Sequence, residues 1–433
     1  MLQGILIIVL FLIVAGMMIT KKMPTLLALP LLAVGIAIIA RVPMVGVDAD
    51  GAAVGFLQTI LEAGSTRMAG AYIAVVFGAW LGQMMNKSGV TENMIKKAAE
   101  LGGDRPFIVT IVLSVVVALL FTTLAGLGSV IMVGTIVLPI LVSIGVPALT
   151  AVSIFLMAFT SGLTFNLANW QTYTSIFELP IESIRQFSGY LLIATSIATL
   201  VLIIVEFKRN GIKFSFSAPN TETEAVGQLK GFSGLMAMLT PALPIILVVV
   251  FNVPVVPSFF AGIIWIAIFT YKGWNKTMNL ITKACYDGFS DAAPAVILMV
   301  GIGMLYLSVT NPIVKDVLQP FMLTIIPSTK LPYILFFIVL APFALYRGPL
   351  NLFGLGSGIA ALIIGLEILP SLAVMGAFLA VERVQAGGDP TNTHNVWAAN
   401  FVGVEVNVIT KKLLPYLWLV TAIGVVISAV LYF

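Results

Sequence analysis

The chain is 433 residues long, 60% hydrophobic and only 9% charged, where an ordinary soluble domain carries roughly 25% charged residues. With a mean hydropathy of +1.11, this composition excludes a soluble enzyme and requires a lipid bilayer. The net charge of +4 is spread over short basic clusters between apolar runs, a topology signal rather than a nucleic-acid surface, and the lone Cys285 excludes an internal disulfide.

Leu2 to Thr20 is an apolar run followed by Lys21-Lys22. It reads as a first membrane helix of ~20 residues, because a cleaved signal has its charge before a shorter apolar core. Further apolar spans are expected near 24–42, 68–86, 106–124, 129–145, 148–163 and 186–206. A second series follows near 233–251, 256–271, 292–309, 331–346, 355–369, 371–386 and 413–433. Short cytoplasmic loops are rich in Lys and Arg. That rule assigns Lys21-Lys22, Lys87 through Arg105, Lys208 through Lys213, Lys272 through Lys283 and Lys411-Lys412 to the inside, and both termini to the outside.

Those assignments hold together only if two apolar pairs enter the membrane without crossing it. The expected fold is therefore an all-α polytopic membrane protein of two inverted-topology repeats, each with five spans, one re-entrant hairpin and a broken helix. The N-terminal repeat, 1–206, comprises scaffold helices 1–104, a hairpin 106–145, a broken helix 148–178 and a helix 186–206. A cytoplasmic linker, 207–232, leads to the C-terminal repeat, 233–433: scaffold helices 233–309, hairpin 331–369, broken helix 371–403 and helix 413–433.

Two matched motifs motivate the repeat. Gly126-Leu127-Gly128-Ser129 is followed by the polar stretch 164–170, and Gly354-Leu355-Gly356-Ser357 by the polar stretch 387–397. Leu61-Glu62-Ala63-Gly64 also precedes one span as Cys285-Tyr286-Asp287-Gly288 precedes another; both lie on stretches amphipathic enough to rest on the interface. Backbone leaves a helix at membrane depth only beside protein or water, so paired breaks mark two half-sites of one pathway. The competing reading is a pair of ordinary bundles whose glycines pack helices.

A helix that stops at mid-membrane leaves N–H groups that suit an anion and C=O groups that suit a cation. The residues expected to bind solute are Gly128, Ser129, Asn166, Asn169, Arg347, Gly356, Ser357, Thr391, Asn392, Thr393 and His394. The coupling ion is expected at Asp389, Asn392, His394 and Ser129, with a Na+ position near Ser129, Asn166, Ser357 and Asn392. Arg347 lies in an apolar stretch where an unpaired charge is costly. Either a solute carboxylate, gripped by the guanidinium, or an internal acid such as Asp389 or Glu382 should face it. Asp389, before Pro390, could instead cap the next helix. Glu382 and Arg383 should each neutralise other groups, since neighbours on a helix point to different faces. Trp170 and Trp397 occupy matching places, as cavity walls or as packing.

Scaffold helices, a hairpin and a broken helix, repeated in inverted order, resemble the ion transporter superfamily, including the gluconate permease, citrate-transporter and dicarboxylate/sodium symporter families. Thr391-Asn392-Thr393 is similar to the Ser-Asn-Thr motifs of the symporters, with Thr in first place. The resemblance implies a homodimer in which a rigid scaffold holds a transport domain that slides as an elevator.

The expected function is secondary active transport, in an inner (cytoplasmic) membrane, of a small organic anion, a di- or tricarboxylate or a sugar acid. Na+ or H+ is the driving ion, and neither a bound cofactor nor a nucleic-acid partner is expected. The alternative is a Na+/H+ antiporter working through Asp389 and His394. An enzyme is disfavoured, since the spans hold no nucleophile–base pair or zinc spacing.

Overall fold

The computed structural model describes residues 1–20, 22–47, 50–212 and 229–433. Lys21 and Lys213 of the basic clusters, and 213–228 of the linker, lie outside the described residues.

The described residues form helices throughout. The first ten are α1 (Leu2–Ile19), α2 (Thr25–Ala40), α3 (Ala63–Thr66, continuing a π-helical turn Leu57–Glu62), α4 (Ala69–Lys87), α5 (Val90–Gly102), α6 (Pro106–Phe121), α7 (Gly126–Ser143), α8 (Ala148–Thr164), α9 (Leu167–Phe177) and α10 (Ile181–Asn210). The second ten are α11 (Gly231–Met238), α12 (Ala242–Val249), α13 (Val255–Phe269), α14 (Trp274–Thr310), α15 (Pro312–Ile325), α16 (Lys330–Leu340), α17 (Gly356–Gly365), α18 (Ser371–Gly388), α19 (Thr393–Phe401) and α20 (Val406–Tyr432). A short 3-10 segment, Ala341–Arg347, follows α16. Local chemistry sets many of these ends. Pro106 opens α6 at the position that needs no N–H, and α10 stops at Gly211 in the left-handed region after Lys208 and Arg209.

Among the described residues seven helices are long and apolar enough to cross a bilayer, or nine if two bent pairs each count as one span. One bent pair is α8 with α9, turned by 57° where the sequence predicts a break. The other, α11 with α12, also turns by 57°, whereas the sequence suggests one straight span over 233–251. Pro241 lies at that junction and supplies no N–H to carry the helix through. A second difference is α14, one helix of 37 residues. It runs through both the stretch expected on the membrane interface and the span 292–309. At ~1.5 Å per residue, α6 and α17, with 16 and 10 residues, fall short of the ~30 Å hydrocarbon core.

Small residues let the long helices touch. A Cβ on Gly64 would stand 2.6 Å from the Cα of Met304, and one on Gly288 would stand 2.7 Å from the Cα of Trp80. Met304 lies as far beyond Gly288 as Trp80 lies beyond Gly64, sixteen residues in each case. The α3–α4 segment and α14 therefore meet through two such close approaches. Deeper in, α18 is buried at every residue from Ala373 to Gly388. It packs on α20 where Gly424 leaves room for Ala380, close packing of the kind membrane helices use in place of a hydrophobic driving force.

Ion pairs join the ends. Lys412 Nζ meets the buried Glu206 Oε2 at 2.5 Å, and Lys87 Nζ meets Asp287 Oδ2 at 2.5 Å. The basic clusters after α10 and at the start of α20 thus share one level, as do those after α4 and in the first half of α14.

Candidate functional site

Helices α6 and α7 pack on one another across four non-helical residues, 122–125. Gly126 opens α7 with φ +84°, a backbone state that glycine enters without strain. The carbonyls at the end of α6 need donors, and Asn166, in the break between α8 and α9, supplies them. Its Nδ2 donates to Phe121 O at 2.8 Å and to Leu124 O at 3.0 Å, while its Oδ1 accepts from Asn169 N at 3.1 Å as the cap of α9. Asn166 ties the first tip to the first break and has no N–H left for a solute.

The second tip solves the opposite problem. Tyr346 and Arg347 take left-handed φ of 56° and 54°, so the turn points backbone N–H groups inward. Asp389, fully buried between α18 and α19, receives one of them: Oδ2 accepts from Arg347 N at 3.1 Å and from the side-chain Nδ2 of Asn351 at 3.4 Å. Its Oδ1 accepts from Thr391 N at 2.8 Å and Thr391 Oγ1 at 2.7 Å. Asp389 and Thr391 thus form a turn anchor. The arginine expected to face an internal acid offers Asp389 its backbone; its guanidinium donates through Nη1 to Phe353 O at 2.9 Å and forms no ion pair among the described residues, although the charge of Asp389 acts on it.

Glu382 and Arg383 contact each other directly, both buried, which corrects the expectation that they would neutralise other groups. Among the described residues no other ion pair reaches this buried stretch of α18, and a buried charge needs a partner. Arg383 also donates to Thr164 Oγ1 at 2.7 Å, tying α18 to the end of α8 beside the first break. Trp170 is buried, with Nε1 donating to Thr164 O at 3.2 Å, and the Trp397 ring fills the space left by Gly134 of α7; both pack rather than wall a chamber.

The two tips and the two breaks converge on one cavity of about 480 Å³, within the size range of small-molecule sites. Gly126 and Leu127 line it at the first tip, Asn166, Ala168 and Asn169 at the first break, Arg347 and Phe353 at the second tip, and Asn392, Thr393 and His394 at the second break. The N-termini of α7, α9 and α19 therefore all open onto it. Among its polar groups, the side chains of Asn169 and Thr393 make no hydrogen bond among the described residues. Asn392 is spent on Gln385, donating to its carbonyl at 2.9 Å. His394 Nε2 stands 3.0 Å from Ala386 O, which can only accept, and its ring packs on Phe159.

Six predicted residues stand behind the wall: the turn anchors Asp389 and Thr391, and four more. Ser129 is buried with an Oγ that has no hydrogen-bond partner, and Ser357 Oγ donates to Gly354 O at 3.0 Å. Gly128 and Gly356 accommodate the chain's own atoms: a Cβ on Gly128 would stand 2.5 Å from Asp291 Oδ2, and one on Gly356 would stand 2.7 Å from Asn351 N.

Sequence reasoning passed over Asp291 and Gln83. Asp291 lines the cavity from α14, its carboxylate against Gly128 and its Oδ2 accepting from Gln83 Nε2 of α4 at 2.6 Å. One signal was available: Pro294, three residues on, lies inside the helix and also lines the cavity. A proline there leaves the carbonyl of Ser290 without its helical donor.

No protein-family profile matches the chain, and no curated protein matches it in sequence. Solved structures do. The YdaH transporter of Alcanivorax borkumensis, described as having an unusual topology, is 14% identical with a TM-score of 0.59, over 99% of this chain and 97% of that one. MtrF of Neisseria gonorrhoeae, described as illuminating a class of antimetabolite efflux pumps, is 12% identical with a TM-score of 0.60, over 95% of each chain. At such identities the likeness is one of fold, and the chain shares the all-helical fold of these two transporters over nearly its whole length.

Proposed function

We propose that this chain is a membrane-embedded secondary active transporter of a small carboxylate-bearing solute, with di- and tricarboxylates and sugar acids as the first classes to test. The observation that carries this reading is the cavity where three helix N-termini and the Arg347 guanidinium face one space. Oriented N–H dipoles and a guanidinium recognise a carboxylate and repel a bare cation. Coupling to Na+ or H+ is part of the proposal. The buried, unpartnered Ser129 Oγ and the cavity-lining His394 are the groups that would serve them.

The reciprocal Gly64–Met304 and Gly288–Trp80 contacts support two inverted repeats. The two tips, each tied to its own broken helix, support a transport unit that moves as one body past the remaining helices, as an elevator within a homodimer. The shared levels of the basic clusters support a cytoplasmic face for them and outer termini, in a bacterial or archaeal inner membrane. MtrF is described as an efflux pump, so export is tested beside import. A Na+/H+ antiporter is the second reading, favoured by the cavity carboxylate of Asp291.

Purified protein in proteoliposomes tests the proposal. Arg347→Gln should reduce carboxylate flux by about 100-fold or more, the scale of losing a charge-assisted bidentate contact, with the protein still monodisperse. Flux unchanged by the substitution removes Arg347 from solute recognition, and Na+-driven proton flux without any carboxylate establishes the antiporter.

A further inference from the structure

Three acidic or basic side chains, Glu382, Arg347 and Asp291, line the cavity, and they are matched unevenly. Glu382 is matched by Arg383. Arg347 at the second tip and Asp291 at the first are not: among the described residues neither forms an ion pair, with the other or with any third group. The guanidinium satisfies one of its nitrogens on Phe353 O, and the carboxylate satisfies one oxygen on Gln83, leaving Asp291 Oδ1 with no hydrogen bond among the described residues. Asp389, whose charge acts on the Arg347 guanidinium without forming an ion pair with it, directs both oxygens at backbone and side-chain donors of the turn and lies outside the cavity wall, so a solute carboxylate could still reach Arg347 from the cavity.

A solute carrying only carboxylates would match Arg347 and be repelled by Asp291. One carrying a carboxylate and a protonated amine would match both. We infer that the cavity selects an amino-bearing carboxylate, its carboxylate on Arg347 and its ammonium on Asp291, with Gln83 positioning the Asp291 side chain. This rests on the carboxylate reading above and narrows its solute class. Asp291 also stands against the N-terminus of α7, a place where a carboxylate is stabilised by the helix dipole alone. The test therefore separates a receptor for ammonium from a helix counter-charge.

The probes are β-alanine, γ-aminobutyrate, δ-aminovalerate and ε-aminocaproate, which also gauge the separation of the two charges. Each is compared with its unaminated monocarboxylate and with the dicarboxylate of the same carbon number. Apparent affinity is read from the concentration dependence of thermal stability of the purified full chain. At least one amino acid should bind about tenfold or more tighter than both of its matched acids, the value of one charge-assisted contact. In Asp291→Asn, close to the wild type in shape, that ratio should fall to about one while the monocarboxylate still binds. Gln83→Leu should lower it in part, and serves as the second variant if Asp291→Asn does not fold.

Dicarboxylates that bind as well as or better than every amino acid overturn the inference and leave the carboxylate reading standing. Amino-acid preference that survives Asp291→Asn overturns the role of Asp291. Binding of none of these carboxylates, with or without the amine, overturns both readings together.

Discussion

The two tips perform the same task with opposite chemistry. The first ends on carbonyls and is held by the amide of Asn166, which donates twice; the second turns through left-handed Tyr346 and Arg347, presents N–H groups, and is held by the carboxylate of Asp389. Similar Gly-Leu-Gly-Ser motifs follow both. What differs is whether the chain arrives at the turn with acceptors or donors to satisfy, and that decides whether the anchoring side chain is neutral or charged. The contrast extends to the cavity, where the first tip has a carboxylate beside it and the second carries a guanidinium.

This comparison can be broken by exchanging the anchors. Asp389→Ala strips acceptors from Arg347 N and Thr391 N and should cost on the order of 3 kcal/mol or more, seen as a large fall in thermal unfolding temperature in detergent. Asp389→Asn, which keeps one acceptor oxygen, should be milder. Asn166→Ala leaves Phe121 O and Leu124 O without donors and should cost about 2 kcal/mol. Here the charged exchange is the harsher one, because Asn166→Asp sets oxygen against oxygen. If Asp at 166 is tolerated better than Ala, the donor-against-acceptor account of the tips is wrong.

The smallest effects come from the two serines that share a motif position. Ser357→Ala removes a hydrogen bond to Gly354 O and should cost about 1 kcal/mol. Ser129→Ala removes a buried hydroxyl that bonds nothing, and should be neutral or stabilising by up to about 1 kcal/mol. A Na+-dependent stabilisation present in the wild type and lost in Ser129→Ala would make that hydroxyl an ion ligand; equal sodium responses would leave it a structural orphan.

The breaks at 165–166 and 389–392 were legible because their signals are local. Asn166, capping the N–H of Asn169, and Pro390 after Asp389 each act within a few residues. The bend at Pro241 had the same kind of signal and was absorbed into a long apolar run. Asp291 had almost none: it lies in the middle of a regular 37-residue helix, and its neighbours at the cavity, Gly126, Gly128 and Gln83, are distant in sequence. Nor could the sequence separate wall from support. Asn166 and Thr391 read as solute ligands and Asp389 as a ligand of the coupling ion because of their polarity, yet their hydrogen bonds are consumed by the turns they hold.

Composition and short-range stereochemistry were enough to place this chain in a bilayer, to locate most of its helices, and to find where they fail. Those properties depend on solvation per residue and on backbone conformation, which neighbours along the chain control. Which polar groups remain unspent, and that Asp291 stands beside Gly128 while the Arg347 guanidinium bonds the Phe353 carbonyl, emerged from packing. Hydrogen-bond capacity is finite, and how it is divided depends on partners that meet only when distant helices come together.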